Sequence, residues 1–149
     1  MTTPVPTPTT PLTQSWNMSY PMTLRSVPLA RRQTLRRLTL WDWPGDKDDA
    51  ILIVSELVAN AIRHARRPGH ELWLHLALLE PDPTTLLIEV SDPTSNFPTL
   101  RQSPTAEAGR GLQVVKSLTT HLSWHLHKEL GKTVTAHLPQ PDMPQRPAS

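Results

Sequence analysis

Between Ile51 and Ala65 the chain reads ILIVSELVANAIRHA, and this stretch restricts the fold more than any other. Ile51, Val54, Leu57, Val58, Ala61 and Ile62 recur at helical spacing and supply the sides of the helix they imply. Such a helix must be buried against neighbouring elements. Glu56, Asn60 and His64 stand at i, i+4 and i+8, so they share one stripe of it. An asparagine inside a helix costs roughly 0.5 kcal/mol relative to alanine, because its side chain competes for nearby backbone groups. A buried helix that carries this cost, with an acid one turn away, is built to present oxygen atoms to something. Amide and carboxylate oxygens are hard ligands suited to Mg²⁺.

The flanking sequence supplies a sheet for that helix. Ser15–Tyr20 reads as a short first strand. Val27–Trp41 reads as a helix, with Leu24, Val27, Leu35 and Leu38 on one face and Arg32 and Arg36 on another. Trp43-Pro44-Gly45-Asp46 is a turn, and Asp46 is placed to cap the central helix, which is expected to end near Arg66. After Pro68-Gly69, Leu72, Leu74, Leu76 and Leu78 alternate, as do Leu86, Ile88 and Val90 beyond a turn at Pro81-Asp82-Pro83. Pro93–Ala108 has three prolines and no period. At about sixteen residues it is long for a connector, which suggests a lid over a ligand. A helix from Gly111 to about Thr119 is expected next. Two strands close the domain, with Leu122, Trp124 and Leu126 inward on one, and Val134, Ala136 and Leu138 inward on the other. Short turns make the late strand pairs antiparallel. The order strand, helix, helix, strand, strand, helix, strand, strand predicts an α+β two-layer sandwich with its helices on one sheet face.

Gly109-Arg110-Gly111-Leu112 opens the third helix. Two of the chain's five glycines are here, where they let a ligand approach the backbone and where free N–H groups attract phosphate. Taken together, four segments resemble a known family. ELVANAIRHA (Glu56–Ala65) resembles its N box, VSD (Val90–Asp92) the start of its first glycine box, GRGLQVV (Gly109–Val115) its second, and GKTVTAHLP (Gly131–Pro139) its closing strand. The family is that of the small GHKL-type (histidine kinase-like, or Bergerat-fold) ATPase domains, in particular the anti-sigma-factor serine/threonine kinases and their actinobacterial relatives. The resemblance runs from about Trp16 to Pro139.

The resemblance implies a mostly antiparallel two-layer sandwich, with ATP bound between the helices and a mobile lid. It implies that Asn60 holds Mg²⁺ against the triphosphate and that Glu56 is the general base for the attacking hydroxyl. It assigns Asp92 to the adenine amino group, Thr133 to adenine or an intervening water, and Gly109, Arg110, Gly111 and Leu112 to the phosphates. The implied activity is transfer of the γ-phosphoryl group to a serine of an antagonist protein. The implied partners are a sigma factor and that antagonist, with a homodimer a common arrangement. One departure stands out. The usual Asp-x-Gly-x-Gly is here Asp92-Pro93-Thr94-Ser95-Asn96, with neither glycine. Proline fixes φ and has no N–H, so a shallower adenine pocket is expected. A non-catalytic module that sequesters a partner, with weak or no nucleotide binding, is the rival reading.

Other features carry plainer readings. His64 closes a helix, where histidine commonly satisfies terminal carbonyls. His121, His125 and His127, with His137 nearby, would be spread over about 20 Å of strand and read as a solvated polar face rather than a metal site. Arg31, Arg32, Arg36 and Arg37 read as a solvated helix face. The prolines, 17 in all, gather towards both ends, and the expected division is a Thr/Pro-rich tail at 1–14, an ATP-binding domain at 15–139 and a Pro-rich tail at 140–149. The absence of cysteine excludes disulfides and thiolate metal sites. A net charge of +2 says little about partners; no direct contact with nucleic acid is expected. No apolar run approaches the ~20 residues of a membrane span, and no signal-peptide pattern opens the chain. A cytoplasmic location is expected.

Overall fold

A computed structural model describes residues 12–65, 69–79, 85–93, 107–126 and 131–139. The elements follow the expected order: β1 (Leu12–Pro21), α1 (Ser26–Leu40), α2 (Lys47–Ala65), β2 (Glu71–Leu79), β3 (Thr85–Asp92), α3 (Glu107–Leu118), β4 (His121–Leu126) and β5 (Lys132–Leu138). The strands form one sheet in the order β1-β2-β3-β5-β4, with every neighbouring pair antiparallel. This is the α+β sandwich that the periodicity predicts. The turn at Pro81-Asp82-Pro83, most of the expected lid, His127, residues 1–11 of the expected tail at 1–14 and the expected tail at 140–149 lie outside the described residues. No helix among the described residues is long and apolar enough to cross a membrane.

Alternation decides which sheet face meets the helices. Leu72, Leu74, Leu76 and Leu78 of β2, Leu86, Ile88 and Val90 of β3, and Val134, Ala136 and Leu138 of β5 are all buried. Each large side chain of this kind contributes about 1.5–3 kcal/mol on burial. Above them lies α2, in contact with β2 and β3 below and with α1 and α3 on its flanks. It buries Ala50, Ile53, Val54, Leu57, Val58, Ala61 and Ile62. Its start is set by Asp46, whose Oδ1 accepts the Asp49 N–H at 3.0 Å. Asp48 and Asp49 in the first turn, with Arg63 and His64 in the last, complement the helix dipole.

Three boundaries and faces differ from the sequence reading. Strand β1 begins at Leu12 rather than Ser15. The buried stripe of α1 is Ser26, Ala30, Thr34 and Leu38, whereas Leu24 and Leu35 are 60% and 44% exposed. Small side chains four residues apart make a low ridge that lets two helices approach closely, and α1 uses them against α2. Helix α1 then ends in a Schellman turn: Asp42 takes φ 57, its N–H reaches the Thr39 carbonyl, and the Trp43 N–H reaches Leu38. Leu126, expected inward, is 53% exposed, because it ends the edge strand β4.

The opposite sheet face is polar. The His75 ring donates from Nδ1 to Glu89 Oε1 at 3.0 Å, and Thr135 Oγ1 donates to Glu89 Oε2 at 3.0 Å. His121 and His137 are cross-strand partners with ring centroids 4.8 Å apart. Among the described residues no three His, Cys, Asp or Glu side chains gather as metal ligands.

These groups set a pH dependence. The Glu89 carboxyl is lowered by the His75 hydrogen bond and further by Thr135, against an opposing effect of burial. His137 is lowered mainly by burial, as is His64 on α2. Between its folded value and 6.5, a depressed histidine binds fewer protons folded than unfolded, so stability falls as pH drops through that range. The Glu89 contribution is present above about 4.5 and is lost as pH falls further. Urea titrations should therefore show falling stability from pH 7.5 to 5.5, with an added fall below 4.5 that Glu89→Gln removes. A flat profile between pH 7.5 and 5.5 would contradict the assignment.

Candidate functional site

The polar stripe of α2 faces a cleft. Leu57, Asn60, Ala61 and His64 come from the helix, Val90 and Asp92 from β3, and Lys132 and Val134 from β5. The enclosed space is small, ≈ 10 Å³, or about one water molecule. Asn60 is 5% exposed, and neither its Oδ1 nor its Nδ2 has a hydrogen-bond partner. Leaving such a group buried and unsatisfied costs about 1–3 kcal/mol. Among the described residues the only other orphaned buried side-chain atom is Thr34 Oγ1, on α1. A wider hollow of ≈ 480 Å³ lies on the other side of Asp92, beside Trp73, Ser91 and Pro93, and none of its described residues carries an orphaned atom.

Asp92 and Lys132 face each other in the β3–β5 register. Lys132 Nζ donates to Asp92 Oδ2 at 2.7 Å, and both side chains are 2% exposed. Gly131 makes this meeting possible. Its φ is +100, and a Cβ there would run into the Asp92 carbonyl oxygen. The charge of Lys132 is felt at His64, whose proton affinity it lowers after burial and Arg63.

The sequence-derived candidates divide into four groups. Asn60 and Asp92 meet across the cleft, with His64 beside them. Glu56 sits one turn before Asn60 on the same helix, half-buried, and is not in the cleft lining. Thr133 is not brought in. Neighbouring residues of a strand point to opposite faces, and Thr133 shares a hydrogen bond of 2.7 Å with Ser91 on the polar side. Gly109, Arg110, Gly111 and Leu112 do not precede a helix that starts at Gly111. They lie within α3, which begins at Glu107, where an acid and an alanine favour an earlier start. The free N–H groups of that helix belong to its first turn, around Glu107–Arg110. Lys132 escaped the sequence reading. Its signal was parity, since it shares the inward register of Val134, Ala136 and Leu138.

The profile of the histidine kinase-like ATPase domain matches residues 20–138, most of the chain. The chain belongs to this family. No curated protein matches it. The five-stranded antiparallel sheet with helices on one face is the sandwich of GHKL-type ATPases. Membership implies ATP binding, usually with Mg²⁺. The Asn60 end of the cleft fits that pair: its buried amide oxygen is a hard ligand without a partner. Mg²⁺ is typically held by one or two protein oxygens together with substrate phosphates. The Asp92 end fits less well, because an ammonium already occupies the carboxylate.

An orphaned amide retained for a ligand should be costly to the free protein. Asn60→Leu is expected to stabilise the free domain by about 1–3 kcal/mol and to abolish the Mg²⁺-dependent rise in melting temperature on adding ATP. Thermal melts with and without Mg-ATP check both. A lower melting temperature for the variant would show that the amide is satisfied after all.

Proposed function

We propose that this ATPase domain is a protein kinase of the anti-sigma-factor type, which transfers the γ-phosphoryl of ATP to a serine of an antagonist protein and thereby controls a sigma factor. The observation that carries the reading is the orphaned buried amide of Asn60, one helical turn beyond Glu56. Asn60 would hold Mg²⁺, which neutralises phosphate charge when bound. The first-turn N–H groups of α3 would receive phosphate oxygens. Glu56 would take the proton from the serine hydroxyl as its oxygen bonds to the γ-phosphorus, while the bond to the bridging oxygen breaks and ADP leaves. Such transfer rests on positioning and charge more than on covalent chemistry by the protein.

A surface for a protein partner is consistent with this. Helix α1 carries Arg31, Arg32, Arg36 and Arg37 and no acid. Arg37 lies 5.3 Å over the Trp16 ring, while Arg31, Arg32 and Arg36 have no ion-pair partner among the described residues. Leu29, Leu35 and Leu40 are exposed between them. Arginine mixed with leucine suits an acidic protein surface better than nucleic acid. Pull-down of a sigma factor, an antagonist or a second copy of the chain names the occupant.

The second reading, a sequestering module with weak nucleotide binding, is favoured by one observation: the Asp92 carboxylate is held by Lys132. Glu56 separates the two readings. Loss of a general base typically costs 10²–10⁴-fold in rate, so Glu56→Gln should bind Mg-ATP nearly as well as the parent yet phosphorylate an antagonist about that much more slowly. The assay pairs labelled ATP with candidate antagonists from the same genome. A parent that binds a sigma factor but transfers no phosphate supports the sequestering reading. A variant that transfers at the parental rate removes Glu56 from the mechanism.

A further inference from the structure

The two ends of the cleft are in opposite states. At one end Asn60 has two buried polar atoms with nothing to bond. At the other, Asp92 and Lys132 form a short ion pair with both side chains almost wholly buried. A ligand entering at Asn60 relieves a cost. A ligand entering at Asp92 has to break a bond that is already made. On the reading that this cleft is the nucleotide site, we infer that Lys132 closes the base end of it, so that the domain recognises a nucleoside triphosphate by its phosphates and not by its base.

Three observations support the inference. The first is charge. Lys132 brings a full positive charge to the Asp92 carboxylate as well as a hydrogen bond, whereas the neutral amino group of a base brings the hydrogen bond alone, so it is a poor substitute. Were Asp92 to turn to a base, Lys132 would be left as a buried charge without its acceptor, which is worse than the intact pair. The second is space. The space enclosed between α2 and the ion pair is ≈ 10 Å³, room for about one water, and the wider hollow on the other side of Asp92 has no α2 residue among its described lining. The third is fixation. Lys132 is a ladder residue of β5, paired in register with Asp92. It is preceded by a glycine whose positive φ and contact with the Asp92 carbonyl leave no room for a side chain. The lysine is therefore part of the sheet rather than the end of a loose loop. Stability does not explain the pair either, because a buried ion pair is commonly no better than apolar residues of similar volume.

The test is calorimetric titration of the full chain with Mg-ATP, Mg-GTP and Mg-tripolyphosphate. A base bonded to a buried carboxylate would show at least about a tenfold preference, the equivalent of one net hydrogen bond. The parent is expected to show less than that among the three. Lys132→Thr frees Asp92 and the space around it, and should tighten Mg-ATP by about tenfold or more while leaving tripolyphosphate unchanged. Because that variant takes the ammonium away from a buried carboxylate, a second one, Lys132→Met with Asp92→Asn, keeps the volume without the charges. It should fold and remain indifferent to the base. A parent that prefers ATP to both GTP and tripolyphosphate by tenfold or more overturns the inference while leaving the nucleotide site in place. So does a folded Lys132→Thr that gains nothing for ATP, or a double variant that gains a base preference. If the parent binds none of the three, tripolyphosphate included, the nucleotide site itself is refuted, and the inference falls with it.

Discussion

The burial of α2 is the constraint on which the other parts depend. The helix is pressed onto β2 and β3 and flanked by α1 and α3, so almost every side of it must be apolar. Ile53, Val54, Leu57, Val58, Ala61 and Ile62 meet that demand. Asp48, Leu52 and Arg63 face solvent, while the Asn60 and His64 stripe points over the ends of β3 and β5. Asn60 is therefore as buried as a core residue while remaining a polar one. Any ligand it serves has to come to the seam between helix and sheet. The site is where it is because the packing leaves nowhere else for it.

Much of this was legible in the order of residues. Period-two leucines and a period-3.6 helix are strong signals, and all eight elements and their order were readable from them. The capping role of Asp46 was readable too, since capping is local chemistry. Where the reading failed, the decisive quantity was not local. On α1 the large leucines suggested the buried stripe, but close packing against α2 selected Ser26, Ala30, Thr34 and Leu38. Whether a helix presents bulk or a low ridge depends on how near its neighbour comes, which the helix's own sequence does not state. Thr133 and Lys132 show the same lesson at a single step of a strand. The threonine drew attention as a polar residue beside a glycine, yet the inward parity belongs to the lysine. Strict counting back from Leu138 distinguishes the two.

The cleft also shows two ways in which a protein can carry buried polarity. Asn60 is neutral and unsatisfied, a modest and local debt that a ligand can relieve. The Asp92–Lys132 pair is charged and satisfied internally, which holds it closed against small perturbations. Both lie within one small cavity. The first departure visible in the sequence, the missing glycines after Asp92, and the first departure visible in the structure, the lysine on its carboxylate, concern the same few atoms. There proline has no backbone N–H to offer, and lysine supplies donors from its side chain.

The sheet order has a consequence for how the domain comes into being. Strand β5 is last among the elements, yet it is inserted between β3 and β4. Until it arrives, β3 has one open edge and β4 has no neighbour at all. Lys132 and Val134, half of the sheet side of the cleft, arrive with it. A chain still emerging from the ribosome, with β5 not yet made, has a cleft that lacks a wall. Completion of the cleft and closure of the sheet are thus one event, and it waits for the last residues of the domain to be made.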